Sequence, residues 1–175
     1  STAGQNNGAG GSVTLTSAGA LTTGTIGTGG GTAQLNSAGN SAGNVTASVA
    51  GALTTGAITA SGTTGNGAGQ SGGNGGSITL DAGGTSPVIT LLGSLNSSGG
   101  NQTGGTSGAG GDIRIKKDVL LNAATVALDA RGGNAGAGTG GNVQFDGTIN
   151  STGGVRALTI AAGTLPFDDV QLGES

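Results

Sequence analysis

Apolar and polar residues alternate in several short segments of the chain, and this period of two is the pattern of β-strands. The segments with an apolar–polar–apolar centre are residues 13–15, 78–80, 113–115, 126–128, 143–145 and 158–160. In a strand, the residues at i and i+2 face one side and the residue between them faces the other. No segment has the i, i+3, i+4, i+7 spacing of an amphipathic helix. The pattern predicts an almost purely β protein with helix content near zero.

The sequence also repeats itself. GALTTGTI at residues 19–26 returns as GALTTGAI at 51–58, an offset of 32, and GSVTLTSAG at 11–19 returns as GTAQLNSAG at 31–39, an offset of 20. A glycine pair also precedes three of the strands, in GGSITL, GGDIRI and GGNVQF. A unit of about 20 residues with insertions of variable length accounts for both offsets, and such a unit is typical of a solenoid.

Glycine-rich inserts separate the strands at residues 61–76, 97–111 and 131–141. They are either mobile loops at one corner of a solenoid or packed ribbons of polyproline-II type. Without large apolar side chains they have little to offset roughly 1–2 kcal/mol of backbone entropy per ordered residue, and a strict three-residue glycine period is missing. We therefore favour mobile loops, so that deletion of residues 63–73 is expected to change stability little.

Short strands with one apolar face become stable when copies stack at about 4.8 Å and bury a continuous interior. The predicted fold is all-β: a right-handed parallel β-helix (solenoid) of about five to seven irregular coils with glycine-rich loop inserts. Residues 1–175 are expected to form a single β-solenoid repeat segment that belongs to a longer protein or filament.

Composition narrows the function classes. The 175 residues include 43 glycines and two phenylalanines, and Trp, Tyr, Met, Cys and His are absent, which excludes an aromatic core, disulfides and thiol chemistry. The net charge is −3, and no charged side chain precedes Asp81, so the basic face needed to bind nucleic acid is missing. No apolar run approaches the roughly 18 residues of a membrane span. We expect neither nucleic-acid binding nor membrane insertion.

Three segments carry a family resemblance: GGSITLDAGG, LNSSGGNQTGGTSGAGGDIRI and GGNVQFDGTINSTGGVRALTIAAGT. Together they resemble the repeat regions of bacterial filamentous-haemagglutinin-like proteins and giant β-strand-repeat adhesins. The likeness covers most of the chain from Gly11 onward. It implies a β-helical shaft exported to the bacterial cell surface, with binding activity often located elsewhere in the protein.

Aspartate follows the second apolar residue of three strands, at Asp81, Asp129 and Asp146. A ladder of carboxylates would suit calcium binding or glycan hydrolysis. The alternative, which we favour, is that each aspartate lies at a turn and accepts a backbone N–H. The adjacent pair Asp168-Asp169 is a poor catalytic dyad because neighbours in an extended segment point to opposite faces.

The remaining candidates are weaker. Arg114, Lys116, Lys117 and Arg131 form the basic cluster, which would suit an anionic polysaccharide or simply a solvated face near Asp112 and Asp118. A calcium-binding nonapeptide is not matched, because GGNGGSITL has Ser77 and Thr79 but lacks the aspartate. Four glycosylation-like sequons start at Asn44, Asn96, Asn101 and Asn150, as chance predicts in so polar a chain. We therefore expect no catalytic, cofactor-binding or metal-binding residues.

Three functions remain in competition. The first is a structural or adhesive shaft of an extracellular, bacterial surface protein or filament, which associates end to end or laterally and binds cell-surface glycans where it binds anything. The second is an ice- or crystal-surface binder with outward threonine ladders formed by Thr14, Thr16, Thr22, Thr23, Thr54 and Thr55. The third is a β-helical polysaccharide lyase or hydrolase, which should carry clustered acids and aromatic sugar platforms. The sequence favours the shaft, with association head to tail through uncapped ends.

Overall fold

A computed structural model of the chain describes residues 1–84, 88–136, 138–163 and 170–171. The strands in these residues are, in chain order, β1 (Val13–Ser17), β2 (Leu21–Thr23), β3 (Ile26–Gly27), β4 (Val45–Val49), β5 (Leu53–Thr55), β6 (Ile58–Thr59), β7 (Ile78–Ala82), β8 (Val88–Leu91), β9 (Leu95–Asn96), β10 (Ile113–Ile115), β11 (Asp118–Leu121), β12 (Thr125–Asp129), β13 (Val143–Phe145), β14 (Ile149–Ser151), β15 (Ala157–Ala161) and β16 (Val170–Gln171). The helix content of the described chain is a single turn, α1 (Gly133–Gly136), as predicted.

Every third strand belongs to the same parallel sheet, so the chain is a β-solenoid with three sheets. Sheet A has the order β1-β4-β7-β10-β13-β16, sheet B β14-β11-β8-β5-β2, and sheet C β15-β12-β9-β6-β3. We call each set of three consecutive strands a tier, from tier 1 (β1–β3) to tier 5 (β13–β15). The predicted all-β parallel solenoid is confirmed.

The register fixes the length of one coil. Val13 pairs with Val45, Val45 with Ile78, Ile78 with Ile113, and Ile113 with Val143, which are 32, 33, 35 and 30 residues apart. The expected unit of about 20 residues is therefore wrong, and the 32-residue offset is the true coil. The four intervals between Val13 and Val143 are about four turns and join the five tiers, so the coil count differs slightly from the five to seven predicted.

Inward-facing residues form continuous apolar columns along the solenoid. The fully buried members are Val45, Ile78, Ile113 and Val143 in sheet A, Leu53, Ile89 and Val119 in sheet B, and Ile58, Leu95 and Leu128 in sheet C. Beside the first column lie Ala47, Leu80, Ile115 and Phe145, which vary in volume from tier to tier. Each fully buried aliphatic side chain contributes roughly 1.5–3 kcal/mol, so stacking is what stabilises these short strands.

The glycine-rich inserts are packed hairpins, and the mobile-loop interpretation was wrong. They leave the solenoid between sheets C and A and stack on one another as a slab that we call the glycine fin (residues 1–11, 29–43, 61–76, 97–111 and the described part of 131–141). Each outgoing arm bonds to the next outgoing arm, as in Gly62 N to Ser98 O at 2.9 Å. Returning arms do the same, as in Gly75 N to Ala109 O at 2.8 Å.

A zigzag of backbone hydrogen bonds joins the two layers of the fin, and we call it the glycine seam. In order along it, Gly73 N donates to Thr63 O, Gly100 N to Gly73 O, Gly108 N to Gly100 O and Gly133 N to Gly108 O, at 3.0, 2.7, 2.9 and 2.8 Å. A Cβ built on Gly100 would overlap Thr63 O, and one on Gly108 would overlap Gly73 O. Arms can approach this closely only where side chains are absent, which explains the glycine content of the inserts.

A glycine pair precedes β1, β7, β10 and β13 of sheet A and closes the neck of the fin. A Cβ on Gly75 would overlap Ser97 O of the following coil, and one on Gly76 would overlap Gly43 O of the preceding coil. Gly76 N also donates to Ala60 O at 2.8 Å, across the corner between sheets C and A. The motif GG-polar-strand is therefore a packing requirement of this corner.

Two buried hydroxyls strengthen the same corner. Thr28 Oγ1 donates to Gly43 O at 2.7 Å, and Ser97 Oγ donates to Gly111 O at 2.7 Å. Both residues are fully buried at the equivalent place, just after a strand of sheet C, where other coils have Ala60 and Ala130. The hydroxyls tie the start of an insert to its end.

Candidate interaction surfaces

The outer face of sheet A is the broadest regular surface of the solenoid. Its two outward columns are Thr14, Thr46, Thr79, Arg114 and Gln144, and Thr16, Ser48, Asp81, Lys116 and Asp146. The parallel register places successive members of a column about 4.8 Å apart. The face is thus uncharged in tiers 1 and 2 and charged in tiers 3 to 5.

The charges on this face pair with one another between coils. Arg114 Nη2 lies 2.8 Å from Asp146 Oδ2, and Lys116 Nζ lies 3.4 Å from Asp81 Oδ2. Gln144 Nε2 adds a hydrogen bond to Asp146 Oδ1 at 2.7 Å. Such exposed pairs contribute about 0–1 kcal/mol each. Their main effect is to neutralise the charges on this face.

The three aspartates that follow apolar strand residues do not form one ladder. Asp81 and Asp146 lie on sheet A, whereas Asp129 ends β12 in sheet C. The expected bond to a turn N–H is present at Asp129, whose Oδ1 accepts from Arg131 N at 3.1 Å. Asp81 and Asp146 are held by ion pairs instead. The difference depends on which sheet each strand joins, and the few residues around each aspartate do not encode that.

Asp129 and Arg131 form a local ion pair with Nη2 and Oδ2 2.7 Å apart. Partial burial raises the pKa of Asp129, but its hydrogen bonds with the Arg131 side chain and backbone outweigh this, so the pKa lies below its ordinary value. The same hydrogen bonding raises the pKa of Arg131. The carboxylate is therefore held charged and paired, which suits a structural role better than that of a general acid.

Other polar side chains bridge neighbouring coils, a role that the sequence analysis missed. Asp118 Oδ1 accepts from Thr148 N and Thr148 Oγ1 at 2.9 and 3.0 Å, and the backbone bond is the main reason why the pKa of Asp118 is lowered. Asp112 Oδ1 accepts from Asn142 N at 2.8 Å. The remaining basic residue of the predicted cluster, Lys117, lies next to Asp118 and also lowers its pKa.

The glycosylation-like asparagines have similar structural partners. Asn44 Oδ1 accepts from Ser77 N at 2.9 Å, Asn96 Oδ1 from Ser98 N at 2.9 Å, and Asn101 Oδ1 from Asn134 N at 2.6 Å. At Asn150, the amide nitrogen donates to Thr148 Oγ1 at 3.4 Å. The residue that precedes a strand of sheet A does this in three coils, where Ser12, Asn44 and Asp112 each accept a backbone N–H from the following coil.

The threonines predicted to form outward ladders divide into two groups. Thr14, Thr16 and Thr22 are exposed and Thr54 is half-buried, all on outer faces. Thr23 and Thr55 were wrongly expected to point outward. Thr55 is only 1% exposed. Thr23 in β2 pairs with Thr55 in β5, and Thr23 Oγ1 donates to Thr55 Oγ1 at 3.1 Å on the interior side of sheet B. Each follows an inward leucine by two residues, so the period-two pattern contained this signal.

A shallow depression of about 280 Å³ lies on the charged half of sheet A. It is lined by Thr79, Asp112, Arg114 and Gln144, among others. Arg114 is already paired with Asp146, and Asp112 with Asn142. Among the described residues, no group of three or more His, Cys, Asp or Glu is placed to hold a metal ion. The Asp168-Asp169 pair lies outside the described residues.

In the described part of the chain, no helix has the length and apolar character needed to cross a membrane.

The sequence and the structure were also compared with known proteins. No protein-family model, no curated protein and no solved structure matches the chain.

Proposed function

We propose that the chain is a non-catalytic shaft, structural or adhesive, of an extracellular bacterial surface protein or filament. The observation that supports this is the uninterrupted stacking of five tiers and their fin, in which each coil contacts chiefly the coils beside it. Stability in such an array grows with the number of neighbouring contacts, as suits a rod. The proposal agrees with the resemblance of the sequence to filamentous-haemagglutinin-like repeat regions.

The use of polar side chains supports the same proposal. Ion pairs and asparagine bridges connect one coil to the next, as in Arg114 with Asp146 and Asn44 with Ser77, and two buried hydroxyls tie the start of an insert to its end. Polar groups that are consumed in this way are poorly placed to act on a substrate. The proposed partners are other copies, end to end or side by side, and cell-surface glycans, with no cofactor, no nucleic acid and no membrane insertion.

The ice-binding alternative has less support. A flat ice-binding face needs equivalent threonine pairs on every coil, and tier 1 has one in Thr14 and Thr16. Tier 4 has Arg114 and Lys116 at the same positions. A charged, ion-paired half of the face interrupts any regular hydroxyl lattice.

Location on the cell surface is the testable core of the proposal. Antibodies raised against the 175-residue chain should label intact, unpermeabilised cells of the source organism, with gold particles in electron micrographs lying outside the envelope. An antibody against a cytosolic protein, which must label only after lysis, is the control. Labelling of the chain that likewise requires lysis would refute the proposal.

A further inference from the structure

The depression on the charged half of sheet A lies between two columns of outward side chains. One column immediately precedes the strands, and the other is the first outward column of the sheet. The polar residues that line the depression are Ser77, Asp112 and Asn142 from the former and Thr79, Arg114 and Gln144 from the latter. Three coils contribute, so the depression extends about 10 Å along the solenoid at about 4.8 Å per coil. Its volume of about 280 Å³ is near the lower end of the range for small-ligand pockets, roughly 300–1,000 Å³.

Bonds between coils hold several of the lining side chains in place. Asp112 Oδ1 accepts from Asn142 N at 2.8 Å, and Gln144 Nε2 donates to Asp146 Oδ1 at 2.7 Å. Arg114 uses Nε and Nη2 to bind Asp146 Oδ2, at 3.2 and 2.8 Å. Asp112 Oδ2, Arg114 Nη1 and Gln144 Oε1 have no hydrogen-bond partner among the described residues. Side chains that are already anchored lose little conformational entropy when a ligand binds their remaining atoms, so these groups are preorganised.

The same contacts explain why a depression exists at this place. Arg114 and Gln144 both bind Asp146, which lies in the second outward column, on the side away from Asp112. The two long side chains therefore lean away from the Asp112 column. The space between the columns stays open.

Donors and acceptors are combined in this space. Asp112 offers a carboxylate acceptor, Arg114 offers guanidinium donors, and the Thr79 hydroxyl can do both. Adjacent hydroxyl groups of a sugar match such a set, because each hydroxyl donates one hydrogen bond and accepts others. The depression holds one acid and one base, so its charges balance, and a neutral sugar complements it better than a polyanion does.

We propose that the depression binds a neutral hexose polysaccharide through adjacent hydroxyl groups of one sugar unit, with Thr79, Asp112 and Arg114 as the main contacts. The inference rests on the glycan-binding part of the proposed function and deepens it by naming the site and the class of glycan. The chain has no Trp or Tyr on which a sugar ring could stack, so a single site is expected to bind with a dissociation constant of about 1–10 mM. Several copies in one filament would hold a long polysaccharide more tightly through multivalency.

The test is a titration of the ¹⁵N-labelled 175-residue chain followed by amide NMR spectra. Maltotetraose, cellotetraose and mannotetraose are the neutral probes, and tetragalacturonate is the anionic probe. At least one neutral probe should shift the amide signals of residues that line the depression, with saturation in the millimolar range. The affinity should be the same at low and high salt, because a neutral ligand makes no ion pair that salt could screen.

Two substitutions assign the binding to the depression. Thr79→Ala removes a lining hydroxyl that makes no hydrogen bond between coils, and it should weaken binding about two- to tenfold. Asp112→Asn keeps an oxygen that can accept from Asn142 N but loses the carboxylate charge, and it should weaken binding about tenfold. The matched control is Thr46→Ala, which makes the same change one coil away in the column of Thr79 and should leave the affinity unchanged.

Three results would each overturn the inference. They are the absence of shifts with every neutral probe up to about 30 mM, above the expected dissociation constants, binding of tetragalacturonate alone with a strong salt dependence, and equal weakening by Thr46→Ala and Thr79→Ala. The titration uses the purified chain and is independent of surface labelling on cells. Failure of this inference is therefore distinguishable from failure of the proposed function.

Discussion

The glycine seam makes a sharp prediction about stability, and Gly108→Ala is its cleanest test. Gly108 is buried in the middle of the fin, where its N donates to Gly100 O at 2.9 Å and its O accepts from Gly133 N at 2.8 Å. A Cβ at this position would overlap Gly73 O, which is a backbone atom and has no side-chain rotamer that could relieve the overlap. The arms must therefore separate, although the substitution adds only one methyl group.

The magnitude follows from the bonds that such a separation breaks. Loss of two of the seam bonds at Gly108, each leaving a buried polar group unpaired, costs roughly 2–5 kcal/mol in the free energy of unfolding. That is a large part of the roughly 5–15 kcal/mol that a domain has in total. At about 2–4 °C per kcal/mol for a chain of this size, the melting temperature should fall by roughly 4–20 °C.

Thermal and urea unfolding followed by far-ultraviolet circular dichroism measures this change. Gly24→Ala is the matched control, because Gly24 is exposed between β2 and β3 and a Cβ there meets nothing within 4 Å. It should shift the free energy of unfolding by no more than about 0.5 kcal/mol. Equal effects of the two substitutions, or no effect of Gly108→Ala, would refute the packed fin and restore the mobile-loop interpretation.

Three further outcomes follow from the structure. Deletion of residues 63–73 should lower the urea midpoint clearly, since it removes the acceptor of Gly100 N and one layer of the fin. Thr28→Val should destabilise the chain by about 1–3 kcal/mol because a buried hydrogen bond to Gly43 O is lost, whereas Thr28→Ser should retain most of the stability in the same unfolding assay. The pKa values of Asp118 and Asp129 are lowered in the folded state, so the stability that they contribute is complete above the unfolded value of about 3.9 and is lost as the pH falls through the folded values. Urea midpoints measured between pH 7 and pH 2 should therefore fall below about pH 4, and less so in Asp118→Asn.

The strands and the inward columns were determined by the sequence itself. Alternation at residues such as Ile78 and Leu80 dictates which side chains face the interior whatever the neighbouring coil contains, because the period of a strand is a local property. The absence of helix follows from the same pattern. The predicted alternating segments are all strands, in sheet A or sheet C.

The coil length, the pairing of charges and the fate of the inserts were decided only by the tertiary structure. The 20-residue offset misled because GTAQLNSAG lies in an insert, and Val13 pairs with Val45 in β4, 32 residues on. Asp129 and Asp81 lie in different sheets, and a motif of a few residues does not encode which sheet a strand joins. The glycine-rich arms have almost no apolar surface, so their stabilisation comes from backbone bonds such as Gly100 N to Gly73 O. Half of the seam bonds join successive coils, and the others, such as Gly108 N to Gly100 O, form within one insert, so no single insert contains all the contacts that order the fin.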